Sequence, residues 1–135
     1  REAAIVGLAP RILPGERSDP ASLTLAAAAE KIEWVREAAG GRFDDLVFNV
    51  YPSTWPITIT NDPRAEAAKV VDELRGRSPV DRTVDDGLDA PQLFIGTVDS
   101  LVEKFVMLRE RLGITSFMTG DIDELAPVVE RLAGS

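Results

Sequence analysis

The chain has 135 residues, enough for one domain with a buried core, and its 44% apolar and 28% charged residues are ordinary for a globular protein. Its net charge of −8 argues against nucleic-acid binding, because that affinity depends on Lys and Arg neutralising phosphates. The absence of Cys and His excludes disulfides, thiolate catalysis, histidine bases and the usual zinc sites. Since no apolar run reaches the roughly 20 residues of a membrane span and no signal peptide is visible, we expect a cytoplasmic protein with neither nucleic-acid nor membrane partners.

The first residues predict the middle of an alternating α/β unit. Residues 1–4, REAA, are good helix formers, and residues 5–9, IVGLA, are an apolar run that Pro10 ends. A run that is apolar on both faces is typical of a strand in a parallel sheet covered by helices. We therefore expect the preceding helix to begin outside this chain, the alternative being an N-terminus trimmed by processing.

A loop, a helix and a second strand are predicted next. Residues 11–22 form a loop by their Pro, Gly and Asp content. Thr24 then caps a helix that Gly40 ends. Its apolar stripe consists of Leu25, Ala28, Ile32, Val35 and Ala39. Residues 46–51 predict the second strand. Residues 57–60, ITIT, predict a brief extension at the solvent-exposed end of a strand or at the edge of a sheet.

The second half predicts two more helices, a strand and a final helix. Asp62 and Pro63 begin a helix that buries Val70, Val71 and Leu74. Residues 77–90 predict a surface loop, in which Asp85 and Asp86 form a solvated turn like that of Asp44 and Asp45. Thr97 caps a helix, closed by Gly113, with Lys104 off its apolar stripe of Val98, Leu101, Phe105, Leu108 and Leu112. Residues 115–119 predict the third strand, and residues 124–132 a last helix that buries Leu125, Val128, Val129 and Leu132.

Alternation of strands and helices predicts a parallel α/β sheet with right-handed crossovers. Three strands fit either a small three-layer sandwich or the last three units of an eight-stranded barrel. In the barrel, we expect the inner face to carry Ile5, either Val47 or Phe48, and Phe117.

One long segment, PQLFIGTVDSLVEKFVMLRERLGITSFMTG, resembles the C-terminal signature of the bacterial luciferase-like oxidoreductases. In that family a Pro, an apolar pair, Gly-Thr-x-Asp, an amphipathic helix, LGI and the last barrel strand follow in this order. REAAIVGLAPR is similar to the family's entry into its sixth strand, and AAEKIEWVREAAGGRFDDLVFNV to the next helix and seventh strand. Residues 30–46 and 126–134 resemble an actinobacterial branch that uses the deazaflavin coenzyme F-420.

The resemblance implies a fold and an activity. Residues 1–135 would be the C-terminal three β/α units of one TIM barrel domain, a (β/α)8 barrel, whose N-terminal portion lies outside the chain. The whole protein would be an enzyme, transferring a hydride between coenzyme F-420, or alternatively FMN, and a small organic substrate. Most contacts to the cofactor ring, and the loop that binds its phosphate, would belong to the N-terminal portion. We therefore expect the isolated chain to be inactive. We also expect it to self-associate as a homo-oligomer. The alternatives are a non-catalytic luciferase-like subunit and a self-contained small α/β binding module.

Candidate site residues follow from the barrel, since barrel sites lie at the C-terminal ends of the strands. These ends hold Arg11, Tyr51, Trp55 and Asp121, which we expect to line a substrate pocket. Arg11 is interpreted as an anion-binding or a solvated loop residue, Trp55 as a pocket wall or a packing residue, and Asp121 as a polar orienting group or a helix cap. No carboxylates have the spacing of a metal site, and the sequence identifies no catalytic or cofactor-binding residue.

Overall fold

The computed structural model describes residues 4–15, 17–51, 56–76, 81–120 and 122–133, which form a mixed α/β fold. Its strands are β1 (Ala4–Gly7), β2 (Ile12–Leu13), β3 (Arg17–Ser18), β4 (Leu46–Val50), β5 (Thr58–Ile59), β6 (Ile95–Gly96) and β7 (Ile114–Phe117). Its helices are α1 (Leu25–Ala39), α2 (Pro63–Arg75), α3 (Val84–Asp89), α4 (Val98–Leu112) and α5 (Ile122–Leu132). Short 3-10 helices span Pro20–Leu23 and Gly40–Asp45.

The central sheet has three parallel strands in the order β1, β4, β7. The predicted strands, their order and their parallel pairing are therefore confirmed, although β1 and β7 end two residues before the predicted limits. Because parallel neighbours need crossover connections, α1 joins β1 to β4, and the longer segment from α2 to α4 joins β4 to β7.

The predicted helix starts are confirmed by their caps. The side chains of Thr24, Asp62 and Thr97 accept hydrogen bonds from backbone N–H groups three residues ahead, at 3.0, 3.2 and 3.1 Å. At the end of α4, Gly113 adopts the left-handed conformation (φ 67°) and its N–H bonds back to Arg109. These boundaries are set by bonds within single turns, which is why the sequence predicted them.

The hydrophobic core lies between one face of the central sheet and helices α1, α4 and α5. Phe48, Val50 and Ile114 supply the sheet side and are at most 3% exposed. The helices contribute Ile32, Leu101, Phe105, Leu108, Leu125 and Val128. Val129, predicted to be buried, is 55% exposed, because it lies beside rather than within the stripe of α5 that Leu125 and Val128 direct into the core.

The opposite face of the central sheet is largely exposed. Ile5 pairs in register with Val47, and it is 71% exposed. Phe48 points the other way, into the helix-covered core. Phe117, predicted for the open face, instead packs edge-on against Phe105 of α4 with ring centroids 4.7 Å apart. Of the residues expected to share one face, Ile5 and, of the two alternatives, Val47 lie on the exposed face, whereas Phe117 does not, because an irregularity in the β4–β7 register turns it toward α4.

Residues 77–90 were predicted as a surface loop, and this is wrong for the part that the structure describes, residues 81–90. That part contains α3 and a buried arginine, Arg82. Thr83 and Asp86 form a reciprocal capping box at the start of α3. Gly87 permits close packing on α2, since a Cβ there would lie 2.9 Å from Val71 Cγ2. The helix is too short to show a periodic apolar stripe in the sequence.

Two small ladders accompany the central sheet. β2 and β3 form an antiparallel hairpin within the segment predicted as a loop, residues 11–22. β5, inside the predicted extension at residues 57–60, pairs in parallel with β6 rather than joining the central sheet. This second ladder fixes the segment that leads into α4.

Gly96 allows the first turn of α4 to pack against β6. A Cβ at this position would collide with Ser100 Oγ and would lie 3.2 Å from Leu101 Cγ. We expect Gly96→Ala to lower the free energy of unfolding by about 1–3 kcal/mol, the usual cost of overpacking. Urea denaturation measures the change. Gly41→Ala is the control, because a Cβ at Gly41 meets nothing within 4 Å, and equal losses in the two variants would contradict the packing role.

Candidate functional site

The three central strands end side by side at one edge of the sheet. Pairing continues just beyond the strands, since Leu8 N donates to Asn49 O at 2.8 Å and Met118 N donates to Val50 O at 3.1 Å. Tyr51 follows β4 at this edge and is 50% exposed, and Met118 follows β7 and is 61% exposed. Parallel sheets gather binding groups at this edge, so it is the candidate site.

Of the four predicted site residues, the structure places only Tyr51 beside the three strand ends. Trp55 and Asp121 lie outside the described residues. Trp34 of α1 is 58% exposed and is therefore not a core residue.

Arg11 precedes the β2–β3 hairpin, and its guanidinium pairs with a buried carboxylate. Its Nε donates to Asp19 Oδ2 at 2.7 Å, and its Nη2 contacts the same oxygen. Asp19 is 5% exposed, and its other oxygen accepts a hydrogen bond from Ala21 N at 3.0 Å. Ser22 Oγ adds a bond from Arg11 N at 2.8 Å. The guanidinium therefore neutralises a buried carboxylate, as expected of a structural residue.

The open face of the sheet carries a polar pair that the sequence analysis missed. Asn49 Nδ2 donates to Ser116 Oγ at 2.8 Å, and both side chains are half-buried. The two residues are register partners across β4 and β7, and the irregularity in that pairing falls between Phe48 and Asn49. The signal in the sequence is weak, since Asn49 is polar within the otherwise apolar β4, whereas in β7 Ser116 follows a second polar residue, Thr115.

Lys104 is a second residue that the sequence analysis misplaced. It was predicted to lie off the apolar stripe of α4, but it is 8% exposed. Its Nζ donates to the carbonyl oxygens of Leu88 at 2.6 Å and Ala90 at 2.7 Å, and also to that of Leu93. Burial lowers the pKa of Lys104 to about 7, against the opposing attraction of Asp89. With three carbonyl partners the amine holds the end of α3 in place, so we interpret it as structural rather than as a general base.

Arg82 is also a buried cation. It is 2% exposed, and its Nη2 donates to the carbonyl oxygen of Pro20. Burial lowers the pKa of Arg82, while the carboxylates of Asp86 and then Asp19 oppose that shift. The contact joins the segment before α3 to the 3-10 helix before α1.

The acidic pair Asp85 and Asp86 has structural roles at the start of α3. Asp86 accepts hydrogen bonds from the backbone and side chain of Thr83, and these bonds lower its pKa. Asp85 forms an exposed ion pair with Arg64 at 2.7 Å. Within the described ranges, no cluster of three acidic residues has metal-site geometry, and no helix is long and apolar enough to cross a membrane.

Comparison with known proteins identifies no family for this chain. No family model, no curated protein and no solved structure matches it. The candidate site itself offers an aromatic ring, a thioether, an amide and a hydroxyl at or near the ends of parallel strands.

The buried Lys104 predicts a stability that depends on pH. The pKa of Lys104 is about 7 in the folded state, whereas the ordinary pKa of a lysine is 10.5. Between pH 7 and pH 10.5 the unfolded state therefore binds more protons than the folded state. Stability should therefore rise with pH, at up to about 1.4 kcal/mol per pH unit, or about 4 kcal/mol from pH 7 to pH 10. Lys104→Met should abolish that rise. Urea denaturation across this pH range measures it.

The matched control is Lys69→Met, because Lys69 is exposed and pairs only with Glu66 among the contacts described for it. This variant should keep the full rise in stability. The same slope in Lys104→Met and in the unaltered chain would show that Lys104 does not titrate in this range.

Proposed function

We propose that residues 1–135 form the last three β/α units of a luciferase-like (β/α)8 barrel. The complete protein would transfer a hydride between coenzyme F-420, or alternatively FMN, and a small organic substrate. The observation that carries this proposal is the one-sided parallel sheet, covered by helices on one face and exposing Ile5 and Met118 on the other. Barrel strands have this asymmetry, because their outer face contacts helices and their inner face contacts other strands.

The lateral edges of the sheet support the same proposal. Among the described residues β1 and β7 each pair on one side only. A groove of about 540 Å³ lies between β1 and α1, beside the exposed Trp34, and an apolar one of about 270 Å³ lies between β7, α4 and α5. At the second edge, α5 exposes Ile122 and Val129, which are 74% and 55% accessible. Neighbouring barrel units would cover these surfaces.

The described residues suit the ring of a flavin or deazaflavin better than its charged tail. Tyr51 has a neutral, flat ring and Met118 a neutral, flexible side chain. Arg11, the cation nearest in sequence to the end of β1, is paired with Asp19. The cofactor ring supplies the hydride chemistry when bound, and the protein positions and shields it. Under the proposal, the phosphate loop and most ring contacts come from chain outside residues 1–135.

Cofactor titration tests the function. We expect the complete protein encoded by the gene to bind coenzyme F-420 or FMN with a micromolar or lower dissociation constant, and isolated residues 1–135 to bind neither. Fluorescence titration measures both. Micromolar binding by the isolated chain would favour the self-contained module, and no binding by the complete protein would favour a non-catalytic subunit.

The open face also predicts self-association of the isolated chain. At about 25 cal/mol per Å², even about 400 Å² of bare apolar surface forgoes on the order of 10 kcal/mol, as much as the whole stability of a typical domain. Unpaired strand edges beside that surface favour joining another chain. We expect oligomers in sedimentation velocity at micromolar concentration.

A pair of variants locates the associating surface. Ile5→Lys should weaken the association, because Ile5 lies on the open face of the sheet. Ile12→Lys should leave it unchanged, because Ile12 is 59% exposed on the β2–β3 hairpin instead. A compact monomer that melts cooperatively without any partner would contradict the barrel proposal.

A further inference from the structure

The polar pair Asn49 and Ser116 lies beside an open space on the exposed face of the sheet. Asn49 has two register partners, Gly7 on β1 and Ser116 on β7. Gly7 presents no side chain, and a Cβ built there would meet nothing within 4 Å. A flat group can therefore lie over Gly7 and against the amide of Asn49.

The hydrogen bond within the pair does not use up its bonding capacity. An asparagine amide has two N–H groups and a carbonyl oxygen, and the 2.8 Å bond to Ser116 Oγ engages one N–H. The serine hydroxyl accepts that bond and still carries its own hydrogen. The pair can therefore offer both donors and an acceptor to a ligand without breaking its internal bond.

The strand register adds a second indication. The β4–β7 pairing is irregular between Phe48 and Asn49, immediately at the polar pair. Irregularities of this kind re-aim side chains and occur preferentially next to functional sites. A purely structural tie between two strands would need no such break, since apolar partners in regular register would stabilise the sheet equally well.

The surrounding side chains indicate which chemistry the pair accepts. By alternation along the strands, the described residues of this face are all neutral: Ile5, Val47, Asn49, Tyr51, Ser116 and Met118. An ionic ligand would find no counter-charge among them. Tyr51 and Met118 border the pair at the strand ends, and aromatic and thioether groups both favour planar rings.

We infer that Asn49 and Ser116 bind the polar edge of a neutral heteroaromatic ring that lies over Gly7, with Tyr51 and Met118 at its border. This inference rests on the proposed barrel, because only completion of the barrel encloses the face into a pocket. A ring carrying carbonyl and N–H groups belongs either to the cofactor or to the substrate. The two sources are separated by experiment.

The test uses the complete protein and three fluorescent probes: coenzyme F-420, FMN and lumichrome, a neutral three-ring heteroaromatic compound without a phosphate. Each probe is titrated into the unaltered protein and into Asn49→Leu and Ser116→Ala. Lumichrome is titrated both without cofactor and after cofactor loading. Asn61→Leu is the matched control, because Asn61 is exposed and follows β5 rather than the central sheet.

We expect Asn49→Leu to weaken ring binding about tenfold, equivalent to the loss of one or two net hydrogen bonds, and Asn61→Leu to have no effect. If the ring is the cofactor's, the dissociation constants of the cofactor and of lumichrome both rise in the cofactor-free protein. If it is the substrate's, cofactor binding is unchanged and lumichrome binding to the loaded protein weakens. Ser116→Ala, a smaller change, should act in the same direction and replaces Asn49→Leu if that variant fails to melt cooperatively.

Two results would overturn the inference. One is unchanged binding of every probe in both variants, and the other is an unaltered protein that binds cofactor but no lumichrome in either form. Failure of the unaltered protein to bind either cofactor would instead contradict the proposed function itself, so the two failures are distinguishable.

Discussion

Packing of one face of the parallel sheet against α1, α4 and α5 is the constraint on which the rest of the structure depends. Val50, Ile114, Leu108 and Val128 have no exposed surface, and Phe48 has almost none. Burial on this scale fixes the strand order and directs every second side chain of β4 inward. It also leaves the alternate side chains on the opposite face, where the candidate site lies.

The segment at the end of α3 is held by one buried cation, Lys104. A buried charge is costly unless its hydrogen bonds are satisfied. Lys104 meets that condition with three carbonyl oxygens at and after the end of α3, those of Leu88, Ala90 and Leu93. The ammonium group of Lys104 thus supplies hydrogen bonds to a segment that lacks regular backbone pairing.

Several charged side chains of the described surface have structural roles, and they differ in this from the side chains at the candidate binding site. Arg11 neutralises the buried Asp19, and Asp86 and Asp85 are occupied by a cap and by an ion pair. The described groups beside the ends of β4 and β7, Tyr51 and Met118, are neutral. This distribution favours a ligand that is recognised by its shape and its hydrogen-bonding edge rather than by its charge.

The sequence by itself determined the helices that begin at Thr24, Asp62 and Thr97 and the three parallel strands, because caps act within one turn and the strands are short apolar runs. It also located Tyr51 at a strand end. Only the tertiary structure placed Lys104 inside the protein, joined Arg82 to Pro20 and set Asn49 against Ser116. These contacts span 14, 62 and 67 residues, and no local pattern encodes partners that distant. The family resemblance adds the proposed chemistry, whereas burial and register decide which side chains are free to take part in it.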